Sequence, residues 1–125
     1  MKATQLMAGD WVCLKDDIKC ELPLKIDGVL TNDISLEGEG FLGGAEGLIR
    51  PIPITPEILV RNGWKETQYW YEYQDGKNTI QCCLPDMRGR INGIEIEYFK
   101  CEYVHQYQHL LRLCGLNELA DNFKV

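Results

Sequence analysis

Between Arg50 and Pro56 the chain carries three prolines, Pro51, Pro53 and Pro56, and no other stretch restricts its fold as sharply. Proline brings no backbone N–H to a ladder, so Arg50-Pro51-Ile52-Pro53-Ile54 cannot run through a central strand. The segment reads as an extended connector or edge strand. It closes a strand-rich stretch, residues 1–54, and leads into residues 55–125, where helices and strands alternate. The third proline has a different role. Thr55 is a good N-cap, Pro56 suits the first helical position, and Glu57 favours the positive end of the helix dipole. Gly63 supplies a left-handed C-terminal residue, so a helix is predicted over 56–62, with Ile58 and Leu59 packing inward and Trp64 anchoring the exit.

Upstream, short apolar runs alternate with glycine and aspartate. Trp11-Val12-Cys13-Leu14 follows Gly9-Asp10. Leu22, Leu24 and Ile26 alternate with polar residues before Asp27-Gly28, and further strands are expected at Ile34-Ser35-Leu36 and Leu48-Ile49-Arg50. Several brief strands with such turns predict an SH3-like small β-barrel or a curled sheet. The glycine-rich run from Glu37 to Gly44 is not a phosphate loop. No Lys-Ser/Thr follows it, no helix opens after it, and Glu37, Glu39 and Glu46 would repel phosphate. It reads as a mobile loop or a bulged hairpin.

Downstream, Gln68–Gln74 and Asn78–Leu84 flank Asp75-Gly76-Lys77, a strong hairpin signal. A polar loop is expected from Pro85 to Arg90, and then a half-exposed strand on which Ile94, Ile96 and Tyr98 alternate with glutamates. From Glu102 to Cys114, Tyr103, Tyr107, Leu110, Leu111 and Cys114 recur at helical spacing, with Gly115 as the stop. The class is therefore α+β: a single domain over 1–125 in which a C-terminal helix packs on an antiparallel β-meander.

At 125 residues the chain suits one domain, and its 45% apolar and 26% charged residues match a globular composition. No run approaches the roughly 20 apolar residues that span a bilayer, and the opening residues lack a secretory apolar run, so a cytoplasmic protein is expected. The net charge of −6 opposes non-specific binding to nucleic acid or anionic membrane. The six cysteines, Cys13, Cys20, Cys82, Cys83, Cys101 and Cys114, contain no C-x-x-C. They are expected to be reduced, and most of them to be small buried apolar residues. On a strand, the neighbours Cys82 and Cys83 point to opposite faces and do not share a metal.

Chemistry-bearing residues are sparse. His105 and His109 share a helical face, and Cys101 extends that stripe if the helix begins early. This is the one candidate metal site. The spacing matches a zinc-protease helix, but Gln106 stands where a glutamate base is required. Cys101 beside His105 is also the one candidate nucleophile–base pair. Glu95 and Glu97 share a strand face and read as solvated charges. Tyr69, Tyr71 and Tyr73 share another, opposite Trp70, and would form a partner-binding surface if left open, with Arg88, Arg90 and Lys100 as a positive grouping. The competing reading buries those tyrosines under the C-terminal helix.

Two segments carry a resemblance: Pro51-Ile52-Pro53-Ile54-Thr55-Pro56-Glu57-Ile58-Leu59 with Asn62-Gly63-Trp64, and Tyr103-Val104-His105-Gln106-Tyr107-Gln108-His109-Leu110-Leu111. With Gly9-Asp10-Trp11-Val12, they resemble an uncharacterised small-protein family of gut Bacteroides-type bacteria and their phages or prophages. The resemblance covers most of the chain and implies no activity, cofactor or catalytic residue. The family's last helix reads closer to Y-V-H-Q-L-Q-N-L, so Tyr107 and His109 are departures, and the second histidine is not part of the family pattern. The expectation is a non-enzymatic interaction or accessory protein of phage or mobile-element origin, with a protein partner and no cofactor. The alternatives are a small metal- or cysteine-dependent enzyme using Cys101, His105 and His109, and a nucleic-acid-associated phage factor using the aromatic strand.

Overall fold

The computed structural model describes residues 5–30, 33–38, 40–42, 47–68, 70–75, 78–82, 89–91, 94–96, 102–113 and 115–125. In chain order the first strands are β1 (Trp11–Leu14), β2 (Leu24–Leu30), β3 (Asp33–Leu36), β4 (Gly40–Leu42) and β5 (Ile49–Pro51). Helix α1 (Pro56–Arg61) follows, then β6 (Lys65–Glu66), β7 (Tyr71–Asp75), β8 (Asn78–Cys82), β9 (Gly89–Ile91) and β10 (Ile94–Ile96). Helices α2 (Val104–Leu113) and α3 (Asn117–Asp121) end the chain. The protein is α+β with two antiparallel sheets and few, short helices. No described helix is long and apolar enough to cross a membrane.

The chain forms two compact units, one of Met1–Pro53 with Tyr103–Asn122 and one of Ile54–Glu102 with Phe123–Val125. In the first, the sheet order is β4-β3-β2-β1-β5. Among the described residues this sheet does not close into a barrel. Pro51 lies in β5 at the sheet's edge, where a missing N–H is tolerated. Pro53 makes an isolated bridge with Tyr103. Asp27-Gly28, expected to end a strand, instead falls inside β2, where the register slips between Ile26 and Gly28. A bulge absorbs the extra residue and lets pairing run on to Leu30. The glycine-rich segment begins as a hairpin, β3 returning as β4 with Leu36 opposite Gly40, and Gly38 holds φ +82 in the turn. Residues 43–46 lie outside the described residues.

Leu6, Val12, Ile26, Ile34, Leu36 and Ile49 form the core beneath this sheet. Helix α2 packs on β1 and α3 and so belongs to the first unit. That corrects the expectation that it covers the C-terminal meander. Its apolar stripe specifies that it must dock but not on which sheet; the polar side chains between the stripe residues decide. Gln108, fully buried, accepts from the Trp11 backbone N–H at 3.0 Å and donates to the Gly9 carbonyl at 2.7 Å and the Ala120 carbonyl at 3.1 Å.

In the second unit the order is β10-β9-β8-β7-β6. The β7–β8 hairpin pairs Asp75 with Asn78, as the Asp-Gly signal requires. Strand β9 occupies positions expected to be loop, and it pairs with β10 through Ile91 opposite Ile94. Asn92-Gly93, between those ends, is itself a two-residue hairpin signal that the strand reading passed over. Tyr98 lies outside the described residues.

Both longer helix ends follow one local rule. After α1, the Gly63 N–H reaches the Val60 carbonyl and the Trp64 N–H reaches that of Leu59. After α2, Gly115 and Leu116 repeat this with Arg112 and Leu111. These are Schellman motifs, with Gly63 and Gly115 at φ +87 and +80. At the start of α1, the Thr55 hydroxyl accepts from the Ile58 N–H.

Gly9 is constrained differently. Its φ is +92, and a Cβ there would stand 2.7 Å from the Arg112 guanidinium and 3.1 Å from the Asp121 carboxylate. Gly9→Ala is expected to cost roughly 1–3 kcal/mol, read from urea denaturation, because strain and collision add. Gly47→Ala, which meets nothing within 4 Å, is the near-neutral control.

Candidate functional site

The unusual side chains of the first unit converge on Asp10, which is fully buried at the entrance to β1. A buried carboxylate costs several kcal/mol unless it is neutralised and hydrogen-bonded. Asp10 has three donors. Its Oδ1 accepts from Arg112 Nη1 at 2.7 Å. Its Oδ2 accepts from the Met7 backbone N–H at 2.9 Å and faces His109 Nε2 at 2.6 Å. His109 and Arg112 are three apart on α2, so one helical face brings both side chains to the one acid. Arg112 also reaches Asp121 at 3.4 Å, and Lys25 donates to the Asp121 carbonyl at 2.7 Å while sitting 5.8 Å over the Trp11 ring.

His105 lies one turn before His109, with the two rings 5.6 Å apart and edge-on, and it stacks on Tyr103 at 6.0 Å. It is 6% exposed, and its Nδ1 has no hydrogen-bond partner among the described residues. Burial pushes its pKa down to about 4; the Asp10 charge opposes that shift and His109 adds to it. His105 is thus a neutral imidazole at neutral pH. Cys101, the third member of the expected metal stripe, lies outside the described residues. Among those residues no group of three or more His, Cys, Asp or Glu is placed to hold a metal.

An Asp–His pair is the orienting half of a nucleophilic triad. Here the imidazole faces its acid through Nε2, and among the described residues no hydroxyl or thiol bonds to either histidine. The sequence reading found the two histidines but missed Asp10 and Arg112. An aspartate flanked by glycine and tryptophan at a strand start was the available signal, but its partners are about a hundred residues away.

In the second unit, Tyr71 pairs with Cys82 and Tyr73 with Ile80. Directly opposite residues share a face, and Cys82 and Ile80 are buried, so both tyrosines lie on the inner side of this sheet. Both are half-buried. Tyr73 meets Trp64 at 5.7 Å between ring centroids. Burial, then the Glu66 and Glu57 carboxylates, pushes the Tyr71 hydroxyl above its usual pKa. Arg90 is placed by its backbone in β9, opposite Gln81 and Glu95. Tyr69, Arg88 and Lys100 lie outside the described residues.

Another surface carries no sequence motif. Leu14, Ile18, Leu22 and Leu48 are exposed at 37, 84, 75 and 50%. All four lie in or beside the β1–β2 loop, where Leu14, Lys15, Asp16, Gly47 and Leu48 line an open groove of about 500 Å³. No family model, curated protein or solved structure matches this chain.

Asp10→Ala is expected to destabilise the protein by roughly 3 kcal/mol in denaturant titration, since it removes the acceptor that the Arg112 guanidinium, the His109 ring and the Met7 N–H share. His105 sets a pH dependence. The unfolded histidine, near 6.5, takes up a proton that the folded one resists down to about 4. Stability present above pH 6.5 is therefore lost progressively across that window, on the order of 2–3 kcal/mol. His105→Gln, with no titrating ring, is expected to flatten that part of a melting-temperature profile.

Proposed function

We propose that this chain is a non-enzymatic interaction or accessory protein of phage or mobile-element origin, working in the cytoplasm through a protein partner. The observation that carries the reading is the cluster of Leu14, Ile18, Leu22 and Leu48 around one loop of the first unit, with Ile18 and Leu22 84 and 75% exposed. Exposed apolar side chains beside a groove are a common mark of a protein-binding surface. The polar residues that would serve chemistry are instead satisfied by one another: Asp10, His109, Arg112 and Gln108 hold the unit's own elements together. The phage and prophage association rests on the sequence resemblance. The order β4-β3-β2-β1-β5 supports an SH3-like relation for the first unit. Tyr69, Tyr71 and Tyr73, with Arg88 and Arg90, are the second candidate for a partner contact.

The test is recovery of a partner by tagged protein from the native host. Ile18→Asp with Leu48→Asp is expected to abolish recovery with the melting temperature unchanged. Retention by that variant together with loss on Tyr71→Ala would move the contact to the second unit, and recovery of nothing by the wild type would sink the reading.

One observation favours a second reading, a small metal- or cysteine-dependent enzyme built on Cys101, His105 and His109. His105 is a neutral imidazole with an unbonded Nδ1 among the described residues, one turn from an Asp-paired histidine. Metal analysis of purified protein with and without His105→Ala separates the two: stoichiometric metal lost on substitution would favour the enzyme.

A further inference from the structure

Cys13 is fully buried in β1, and Cys20 stands half-exposed in the loop that leaves it. Their sulfurs are 2.6 Å apart. Non-bonded heavy atoms rest at roughly 3.5–4.0 Å and bonded sulfurs at about 2.0 Å, so this pair lies nearer the bonded distance. The loop is built to hold it there. Asp17 accepts the Glu21 and Leu22 backbone N–H groups on its two carboxylate oxygens, each at 3.0 Å. The Asp17 carbonyl accepts from the Cys20 N–H and from the Arg50 guanidinium, and the Asp17 N–H reaches the Leu14 carbonyl. Cys20 adopts φ +49, a left-handed conformation found at no other non-glycine among the described residues. Cys13 also donates weakly to the Arg50 carbonyl at 3.8 Å.

We propose that Cys13 and Cys20 are a redox-closable pair, joined by exchange with a small-molecule disulfide of the glutathione class. The Cys20 thiol releases its proton, and its sulfur attacks one sulfur of the reagent, breaking that S–S bond and expelling one thiolate, which takes up a proton. Cys13 then releases its proton and attacks the Cys20 sulfur. The Sγ–Sγ bond forms, the mixed disulfide breaks, and the second thiolate leaves and is protonated. Two protein thiols are oxidised by two electrons, and one disulfide is reduced to two thiols.

The order of attack follows from the surroundings. Cys20 is the accessible sulfur. Cys13 is held up to about 12, first by burial and then by its hydrogen bond to Cys20 and that thiol's charge, with Asp17 adding to the shift and Arg50 opposing it. Once Cys20 is in a mixed disulfide, both Cys20 contributions vanish and Cys13 becomes easier to ionise. The result closes a loop that displays Ile18 and ends two residues before Leu22. The pairing rests on the loop's own geometry, independent of any partner.

The test uses the full chain, reduced, freed of reductant and exposed to glutathione disulfide. It is then denatured in alkylating reagent and mapped by peptide mass. The expected result is a linked Cys13–Cys20 peptide with both sites protected from alkylation, reopened by dithiothreitol. Cys13→Ser is expected to stop at a glutathione adduct on Cys20. Asp17→Ala, which keeps both thiols and loosens the loop, is expected to slow closure about tenfold by lowering their effective concentration. Separate adducts on the two cysteines of the wild type, a dominant bridge between other cysteines, or both sites still alkylated would overturn the proposal.

Discussion

The carboxylate of Asp10 is the fixed point of the first unit. Nothing about a charged side chain favours full burial, so its neighbours must be arranged to neutralise it, and they come from two places. Met7 supplies a backbone N–H from the preceding turn; α2, about a hundred positions later, supplies the His109 ring and the Arg112 guanidinium. Gly9 must be glycine, since it turns the chain at a left-handed φ and leaves room for the Arg112 guanidinium. Gln108, next to His109 on α2, bonds to Gly9 and Trp11 on either side of the acid. A helix that presents this face has one register on β1. Sliding it by a residue strands the carboxylate and the Arg112 guanidinium.

This explains which parts of the fold were legible. Helix ends are local events: Thr55 and Pro56 before α1, and Gly63 and Gly115 after α1 and α2, specify caps within five residues of themselves, and each forms as read. The Asp75–Asn78 hairpin is local too. Docking is not. The apolar spacing of Tyr107, Leu110 and Leu111 fixes a buried face without naming the sheet beneath it, and Gln108, His105 and Asp10 contradict the ordinary preference of polar residues for the surface. Their burial makes sense only once the partners are known. Strand β9 is a different miss, since Asn92-Gly93 was a usable signal overshadowed by the polar residues before it.

The same distinction sorts the candidate functional residues. A histidine pair at helical spacing has two meanings, a ligand set or an internal bond to an acid, and the spacing is identical in both. What separates them is the direction of the free nitrogens. His109 Nε2 faces Asp10 at 2.6 Å, while His105 Nδ1 has no hydrogen-bond partner among the described residues. The tyrosines of β7 resolve by register: opposite Cys82 and Ile80, they face the interior of their own sheet, which leaves Glu72, Gln74 and Gln81 on the outer face. Alternation showed that Tyr71 and Tyr73 share a side; only the strand partner could show which side it is.

The β1–β2 loop departs from both patterns. Among the described residues it contributes no cap and no long-range ion pair, yet Asp17 satisfies five groups around it, and a non-glycine residue is held at positive φ. Left-handed backbone at a residue with a side chain costs free energy, and such strain persists where the surroundings over-determine it. The apolar side chains displayed there gain nothing from the fold, since Ile18 and Leu22 remain in solvent. Order imposed on a segment whose own burial does not require it is a requirement of something other than the core. That is why the candidate surface of this chain is placed on a loop without a motif, rather than on the histidines and tyrosines that first draw the eye.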